Sequence, residues 1–363
     1  IRSRGLGDVY KRQVQVSPSL HFFSFMILVT GGLGYIGAHT VVSLSENNYT
    51  VVIVDDLSNT TIDVIDGIEK ACGKRPIFEH VDLKNKVKVQ KVFEDHEIKG
   101  IIHFAAFKAL GESVERPLRY YDNNLTSLIN LLSVAKDQKR NIPFIFSSSC
   151  TVYGEPKTLP ITENEPSKPA LSPYGNTKQI CEEILSDLTK VNDLITVVAL
   201  RYFNPIGAHS SVEIGELPLG VPQNLVPFIT QSAAGIRGPI TVFGNDYPTK
   251  DGTCVRDYIH VEDLAKAHVS ALKYLKNIKK TNVFEIFNIG TGNGNSVLDI
   301  ITTFERVTGV TLQYYIGERR KGDVAITYAD TSKANHILDW KSSKILEEAL
   351  FSAWQWEKKL RGG

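Results

Sequence analysis

A short apolar strand pattern that leads directly into a glycine-rich loop constrains this chain more than any other feature. Residues 26–30 read MILVT and residues 31–37 read GGLGYIG, which fits both G-x-G-x-x-G and G-x-x-G-x-x-G. Glycines allow the tight turn, the close approach of backbone to a pyrophosphate and close packing of helix on strand. The N–H groups at the start of the following helix favour an anion there. The segment therefore predicts the first βα unit of a dinucleotide-binding fold.

The same alternation of strand and helix patterns continues to about residue 200. Short runs of β-branched and apolar residues, separated by segments of helix length, predict βαβ units and a parallel sheet. The predicted strands are 26–30, 51–55, 77–81, 101–105, 144–148 and 196–200. The predicted helices are 36–47, 87–96, 117–136 and 174–190.

Beyond residue 200, proline and glycine become more frequent and the apolar runs become shorter. We therefore predict an α/β fold with a doubly wound parallel Rossmann sheet and a second, smaller α/β lobe. Residues 26–202 are assigned to the dinucleotide-binding domain and residues 203–363 to a substrate-binding domain. Some later segments can return to the first sheet.

The composition excludes several classes of protein. The chain has 363 residues, 42% of them apolar, and 41 basic residues against 40 acidic ones. This balance gives no long-range field for nucleic acid or an anionic membrane, and no apolar run reaches the roughly 20 residues of a membrane span. The four cysteines stand singly, without the C-x-x-C pairs of a zinc site, so we predict reduced thiols of a cytoplasmic protein and no metal.

The first 25 residues are basic and lack an apolar period. We interpret residues 1–25 as a non-native or disordered prefix and Met26 as the natural start. A truncated organellar leader stays open as an alternative. A secretory signal peptide is disfavoured, because cleavage there would remove part of the first strand.

Asp55 ends the second predicted strand, 18 residues after Gly37. A carboxylate about 20 residues beyond the glycine loop typically binds the ribose hydroxyls of the adenosine half of NAD. Asp56 beside it would repel the 2′-phosphate of NADP. The sequence therefore predicts NAD as the cofactor.

Tyr174 and Lys178 lie four residues apart in the segment YGNTK, so on a helix they share one face. A free phenol has a pKa of about 10, and a neighbouring ammonium together with a cationic nicotinamide ring would lower it. Such a pair alone is usually solvated helix surface, but beyond a dinucleotide loop it predicts a catalytic base. Ser149 follows a predicted strand, at the edge where open α/β sheets bind ligands, and can pass a substrate proton to Tyr174. Ser147 and Ser148 are interpreted as turn residues.

Five further segments match a known family. They are VTGGLGYIGAHT at 29–40, HFAAFKALGES at 103–113, FSSSCTVYG at 146–154, LRYFNPIGAH at 200–209 and DGTCVRDYIHV at 251–261. With Ser149, Tyr174 and Lys178, they resemble the extended short-chain dehydrogenase/reductase superfamily. Over residues 26–363 the chain is similar to its UDP-glucose 4-epimerase family.

The resemblance implies an NAD-dependent isomerase of galactose metabolism that interconverts UDP-glucose and UDP-galactose. Tyr174 would take the proton of the sugar 4-hydroxyl while hydride moves from C4 to tightly bound NAD. The 4-keto sugar would then turn and receive the hydride on its other face.

The resemblance also implies which residues bind the two ligands. For NAD they are Gly31, Gly34, Tyr35, Ile36, Gly37, Asp55, Asn59, Asp82, Leu83, Phe104, Ala105, Lys108, Asn123, Ser149, Tyr174, Lys178 and Phe203. For the UDP-sugar they are Ser149, Tyr174, Asn204, Asn224, Leu225, Arg256, Tyr258, Arg320, Asp323 and Thr327. Without a metal, the arginines Arg256 and Arg320 are expected to balance the diphosphate. Arg319, His103 and His260 are interpreted as structural.

Thr327 is small, and it stands four residues beyond Asp323, where family members restricted to plain hexoses tend to have a bulky side chain. This predicts some activity on UDP-N-acetylglucosamine and UDP-N-acetylgalactosamine. Two other functions stay open: a sibling decarboxylase or dehydratase, and a catalytically silent NAD-sensing protein. The sibling enzymes need an additional acid/base pair just after the active-site hydroxyl, where this chain has Cys150 and Thr151. The resemblance finally implies a homodimer through a four-helix bundle built from the helices 117–136 and 174–190.

Overall fold

The computed structural model describes residues 25–191, 194–320 and 322–362. The strands of this part are β1 Met26–Thr30, β2 Thr50–Asp55, β3 Ile77–His80, β4 Gly100–His103, β5 Ile142–Ser147, β6 Ile195–Tyr202, β7 Asn204–Ile206, β8 Ile240–Phe243, β9 Val255–Arg256, β10 Tyr258–His260, β11 Phe284–Ile289, β12 Asn295–Ser296, β13 Tyr314–Gly317 and β14 Ile326–Thr327. The helices are α1 Tyr35–Glu46, α2 Val64–Cys72, α3 Lys86–Asp95, α4 Leu110–Glu115, α5 Pro117–Asp137, α6 Pro173–Val191, α7 Leu225–Ala233, α8 Val261–Asn277, α9 Val297–Thr308, α10 Ser332–Ile337 and α11 Leu346–Leu360, and Cys150–Tyr153 form a 3₁₀ turn.

A seven-stranded parallel sheet forms the centre of the molecule, in the order β11-β6-β5-β4-β1-β2-β3. The chain adds strands outward from β1 to β3 and then crosses back to β4 on the other side of β1. In an open α/β sheet, the crevice for ligands lies at this reversal, beyond the carboxyl ends of the strands. The loops after β1, β2, β4, β5 and β6 all leave the sheet at that edge.

The core lies on both faces of this sheet. Strands that are covered on both sides carry apolar residues at nearly every position, as the inner strands of this sheet do. Along β1, Ile27 and Val29 belong to the cluster packed under α1 and α8, whereas Leu28 belongs to the cluster on the opposite face. The second cluster includes Leu131 of α5 and Leu185 of α6. The sheet is therefore a buried layer between two layers of helices.

Three small sheets and the helices α7, α9 and α11 form the second lobe. The small sheets pair β7 with β10, β9 with β12 and β14, and β8 with β13. Ile229, Ile300, Phe304 and Leu350 are fully buried in the core of this lobe. Strand β7 follows the carboxyl end of β6 after a single residue, Phe203, and therefore begins at the ligand edge of the main sheet.

The predicted fold class and the six predicted strands are confirmed, and the four predicted helices appear within one or two residues of their expected ends. The sequence did not predict α2 or the short α4. Helix α8 and strand β11 lie beyond residue 202 yet pack on α1 and pair with β6, so the first sheet takes its last strand from the later half. The division at residue 202 stays a prediction.

The segment interpreted as a prefix lies outside the described residues except for Phe25. The Phe25 ring lies 6.1 Å from the Tyr49 ring and 3.9 Å from the Lys276 ammonium. Phe25 thus packs with the first lobe. Across the described ranges, no helix has both the length and the apolar content of a membrane span.

Candidate active site

The glycine loop between β1 and α1 fits a dinucleotide. Gly31 has a φ of +67°, and a Cβ there would lie 2.8 Å from the Ala105 nitrogen. A Cβ on Gly37 would lie 2.2 Å from the Gly31 carbonyl oxygen, so this approach of helix to loop requires glycine. Gly34 precedes α1, and no side chain caps that helix end. Its first N–H groups and its dipole are therefore oriented to favour a pyrophosphate.

Asp55 lies at the end of β2 beside this loop. Its carboxylate is 6% exposed and accepts hydrogen bonds from the N–H groups of Leu33 at 3.1 Å and Leu57 at 3.0 Å. Burial raises the pKa of Asp55, and these backbone donors act in the opposite direction. The carboxylate is thus fixed in direction, as a group that accepts ribose hydroxyls must be.

The other residues predicted to bind NAD follow the strand ends. Asn59 and Asp82 are exposed in the loops after β2 and β3, and Leu83 is buried behind them. Phe104 and Ala105 donate N–H groups to the Thr30 carbonyl at 3.0 and 3.2 Å. In α1, Ile36 is half-buried and Tyr35 donates its hydroxyl to the Gly207 carbonyl at 2.7 Å. Asn123 is buried in α5 and Phe203 is buried after β6. Lys108 is exposed before α4.

The structure brings the predicted catalytic trio together. Tyr174 and Lys178 lie on one face of α6, with the ammonium 6.0 Å from the centre of the phenol ring. The Lys178 ammonium donates to the Ser147 carbonyl at 2.6 Å. Ser149 follows β5, is 8% exposed, and interacts with the Tyr174 hydroxyl closely enough to lower its pKa. All three side chains therefore meet at the carboxyl end of β5.

The protein's own groups raise the pKa of the phenol, so the lowering expected from the sequence depends on the nicotinamide ring. Burial raises the pKa of Tyr174 well above its ordinary value, and Tyr202 and Cys150 raise it further. Burial also lowers the pKa of Lys178 to about 8. The lysine does not offset the loss of water around the phenol, so the protein's own groups keep Tyr174 protonated at neutral pH.

Two arginines converge on one carboxylate in the second lobe. Arg320 donates to Asp323 at 2.9 and 3.2 Å, and an Arg256 guanidinium nitrogen lies 3.7 Å from the same carboxylate. Thr327 of β14 pairs in register with Arg256 of β9. One carboxylate cannot neutralise two guanidinium groups, so the cluster keeps a net positive charge that suits a diphosphate.

An electrostatic interaction links Arg256 to the residue that follows Ser149. The positive charge of Arg256 lowers the pKa of the Cys150 thiol, although burial is the larger effect and raises it to about 12. Cys150 directly follows Ser149, so the charge of Arg256 acts on the residue next to the trio. Asn204 of β7 donates its N–H to the Asp257 carbonyl at 2.9 Å and pairs in register with Tyr258, which is buried.

Asn224 and Lys108 both approach the carboxylate of Glu216. The Asn224 amide donates to it at 2.8 Å, and the Lys108 ammonium lies 3.9 Å from it. Leu225, the residue after Asn224, begins α7 and is half-buried. Predicted NAD and substrate residues thus share one carboxylate.

Three residues interpreted as structural have structural partners. Arg319 donates to Asp246 at 2.7 Å, His103 hydrogen-bonds the Thr30 hydroxyl at 2.7 Å, and His260 accepts the N–H of Glu262 at 3.1 Å. Among the described residues, no group of acidic, histidine or cysteine side chains could hold a metal ion.

Sequence reasoning missed Phe243 at the end of β8. Its ring is 42% exposed, and the Arg320 guanidinium lies 5.6 Å from the ring centre. An exposed aromatic ring beside this pair of arginines can stack on a base. The only signal in the sequence was an aromatic residue followed by glycine, which is too common to be informative.

Proteins of known function resemble this chain in sequence and in structure. The family model described as GDP-mannose 4,6 dehydratase matches residues 28–351. The UDP-glucose 4-epimerase of Drosophila melanogaster is 46% identical over 343 residues, covering 93% of this chain and 97% of that protein. The corresponding Schizosaccharomyces pombe enzyme is 48% identical, covering 92% and 94%.

The chain belongs to the UDP-glucose 4-epimerase family. A solved epimerase from Stenotrophomonas maltophila, with bound NAD and formylated UDP-arabinopyranose, matches with a TM-score of 0.90 and 42% identity, covering 93% of this chain and all of that one. The Bifidobacterium longum epimerase in complex with NAD+ and UDP gives 0.89 and 43%, covering 93% and 99%. The epimerase family thus shares this chain's fold over both lobes.

Proposed function

We propose that this protein interconverts UDP-glucose and UDP-galactose by transient oxidation at C4 of the sugar, with NAD as the bound cofactor. The observation that carries the proposal is the convergence of Ser149, Tyr174 and Lys178 at the ligand edge, beside the glycine loop and the arginine cluster. Membership of the epimerase family supports it.

Each part of the site has a role in this proposal. NAD, when bound, would supply a reversible acceptor for the hydride at C4. Tyr174 exchanges the proton of the 4-oxygen, Ser149 hydrogen-bonds that oxygen, and Lys178 stabilises the charge that forms on the phenol. Burial keeps the phenol protonated although Ser149 lowers its pKa, and the positive charge of an oxidised nicotinamide would lower that pKa further.

The two halves of the ligand edge hold the two ligands. Gly31, Gly34, Gly37 and the start of α1 would bind the pyrophosphate of NAD, and Asp55 would accept its ribose hydroxyls. Arg256 and Arg320 would bind the diphosphate of the substrate, and the Phe243 ring would stack on the base. Since no net redox change occurs, NAD is expected to remain bound through the cycle.

The decisive experiment is incubation of the purified protein with UDP-galactose, without added cofactor. UDP-glucose should appear by ion-pair chromatography. A protein that forms no UDP-glucose even with added NAD would contradict the proposal. A dehydrated keto sugar from the same incubation, or loss of CO2 when UDP-glucuronate is supplied instead, would indicate a sibling enzyme, which the thiol of Cys150 and the hydroxyl of Thr151 do not favour.

A finer proposal concerns the sugar itself. Thr327 is half-buried and lies in register with Arg256, so a small side chain here would accommodate a 2-acetamido group beside a diphosphate bound by Arg256. Wild type should therefore epimerise UDP-N-acetylglucosamine, and Thr327→Tyr should lose that activity about 10-fold or more while keeping UDP-galactose turnover. Equal turnover of the N-acetylated sugar by both proteins would count against this reading.

We also propose a homodimer of cytoplasmic location. Helices α5 and α6 pack on each other, and α5 exposes Leu118 and Ile129, which can complete a four-helix bundle with a second copy. The four unpaired cysteines are consistent with a reducing compartment.

A further inference from the structure

Glu182 is a buried carboxylate on α6 that the proposed mechanism does not use. It lies one helical turn beyond Lys178 and is 7% exposed. It accepts hydrogen bonds from the Ser148 hydroxyl and from Arg201 of β6, at 3.0 Å from Nε and 2.5 Å from Nη2. Arg201 is itself 4% exposed and lies 4.6 Å from the Tyr153 ring centre. Burying such a pair is costly unless each charge is well hydrogen-bonded, and here two parallel hydrogen bonds join the guanidinium to the carboxylate.

The partners of the three consecutive serines explain what this pair holds. The Ser147 carbonyl accepts from the Lys178 ammonium, and the Ser147 hydroxyl lies 2.5 Å from the Tyr202 hydroxyl. Ser148 donates to Glu182. Lys178 and Glu182, four residues apart on one helix face, thus attach two successive residues of the β5 end to α6. Ser149, the next residue, is the one that would contact the substrate in the proposed mechanism.

We propose that Glu182, held by Arg201, is a positioning residue that fixes the end of β5 against α6 and so keeps Ser149 in place against Tyr174 and Lys178. This inference rests on the proposed epimerisation and goes beyond it, because Glu182 touches neither the sugar nor NAD in that mechanism. It also corrects the interpretation of Ser148 as a turn residue.

The charge of Glu182 has a second effect, on Lys178. Burial lowers the pKa of Lys178, and Cys181 and then Glu182 raise it. Removing the charge of Glu182 should therefore lower that pKa further and reduce the protonated fraction of Lys178 near pH 8. The titratable or charged groups that face the Lys178 and Glu182 pair are His103 from β4, Tyr174 and Cys181 from α6, Tyr153 from the 3₁₀ turn, and Arg201 from β6.

The test compares three variants with wild type. Glu182→Gln removes the charge but keeps an oxygen acceptor for Ser148, and Ser148→Ala removes only the link to β5. Glu357→Gln is the matched control, since Glu357 is 3% exposed on α11 and accepts from the Thr230 hydroxyl at 3.2 Å and Arg361 at 2.9 Å. We expect kcat to fall about 10-fold in the first two variants, with KM for UDP-galactose within about 2-fold, and to stay within about 2-fold of wild type in the control.

A readout independent of turnover is the NMR titration of the Lys178 ammonium. Its signal is identified as the one that is missing from the spectrum of the Lys178→Arg variant. Its midpoint should move to lower pH in Glu182→Gln and stay unchanged in Ser148→Ala and Glu357→Gln. Wild-type kcat in Ser148→Ala, or an unmoved Lys178 midpoint in folded Glu182→Gln, would overturn the inference. Should Glu182→Gln fail to fold, kcat of Ser148→Ala decides. Absence of epimerisation by wild type would contradict the proposed function, and the titration would still report on Glu182.

Discussion

At the residue scale, the proposed chemistry depends on the hydroxyl of Tyr174. Replacing it with phenylalanine removes the group that exchanges the substrate proton but keeps the ring in its buried place. We expect Tyr174→Phe to lower kcat about 1,000-fold, within the range that positioned acid–base groups contribute, as measured by UDP-glucose formation.

The matched control for this variant is Tyr121→Phe. The Tyr121 hydroxyl accepts from the Asn176 amide at 2.7 Å, on the same pair of helices but outside the trio. This variant should keep near wild-type kcat. Comparable loss in both proteins would mean that Tyr174 acts only through packing.

Spacing sufficed to predict the trio because its members lie on one helix face and one strand end. Tyr174 and Lys178 are neighbours on any helix, and Ser149 must be at the ligand edge if β5 belongs to a parallel sheet. The direction of the phenol pKa could not be predicted in this way. It depends on how much protein surrounds the hydroxyl, and residues distant in sequence such as Tyr202 contribute to that.

At the scale of elements, the βαβ alternation was readable because buried parallel strands are continuous apolar runs. The predicted strand 26–30 has the exact bounds of β1. Helix α2 was not predicted because the segment before it is rich in turn-forming residues and the helix buries only Ile65 and Ile68. The sequence allowed later segments to return to the first sheet but did not identify β11 as the one that does.

The unit of β1, glycine loop and α1 supports a prediction about backbone packing. In Gly37→Ala the added methyl group would meet the Gly31 carbonyl oxygen at 2.2 Å, so loop and helix must separate. We expect the purified variant to lose copurified NAD and to show a lower midpoint of thermal unfolding. Gly238→Ala is the control, because a Cβ there meets no atom within 4 Å. Wild-type NAD content in Gly37→Ala would contradict this account of the loop.

At the scale of the whole molecule, the exposed face of α5 predicts assembly. Leu118 is 81% exposed and Ile129 is 48% exposed, a pattern expected of an interface that covers them. Light scattering should give a mass of about twice 40.3 kDa for wild type and about 40.3 kDa for Leu118→Glu/Ile129→Glu. The control Val87→Glu, at a position 77% exposed on α3, should remain dimeric. A monomeric wild type would exclude the bundle.

Buried histidines predict how stability depends on pH. In the described part of the chain, burial lowers the pKa of His39 and His103 to about 3 and that of His260 and His268 to about 4. The unfolded chain, with histidine pKa values of about 6.5, takes up these protons first, so their contribution to stability is complete above that pH and is lost as the pH falls. Acidic groups whose pKa is raised by burial oppose this loss; they are Asp55, Glu216 and Asp257.

Urea unfolding at pH 7.5, 6 and 5 measures this effect. The free energy of unfolding should fall with pH, by up to about 1.4 kcal/mol per pH unit for each proton taken up. His268→Gln, which keeps a donor toward the Leu264 carbonyl 2.8 Å from the histidine nitrogen, should show a shallower fall. Identical slopes in the two proteins would exclude His268 as a contributor.

The sequence alone determined the features that depend on local spacing: the strand, glycine loop and helix of the dinucleotide site, the shared face of Tyr174 and Lys178, and the parallel sheet. Tertiary structure alone decided the raised pKa of the buried phenol, the sharing of Asp323 by two arginines, the return of β11 to the first sheet and the attachment of Ser148 to Glu182. The physical reason is that burial and ion pairing depend on which distant segments meet. Spacing fixes the direction of a side chain on its own element, but it does not specify what surrounds that side chain once the elements pack.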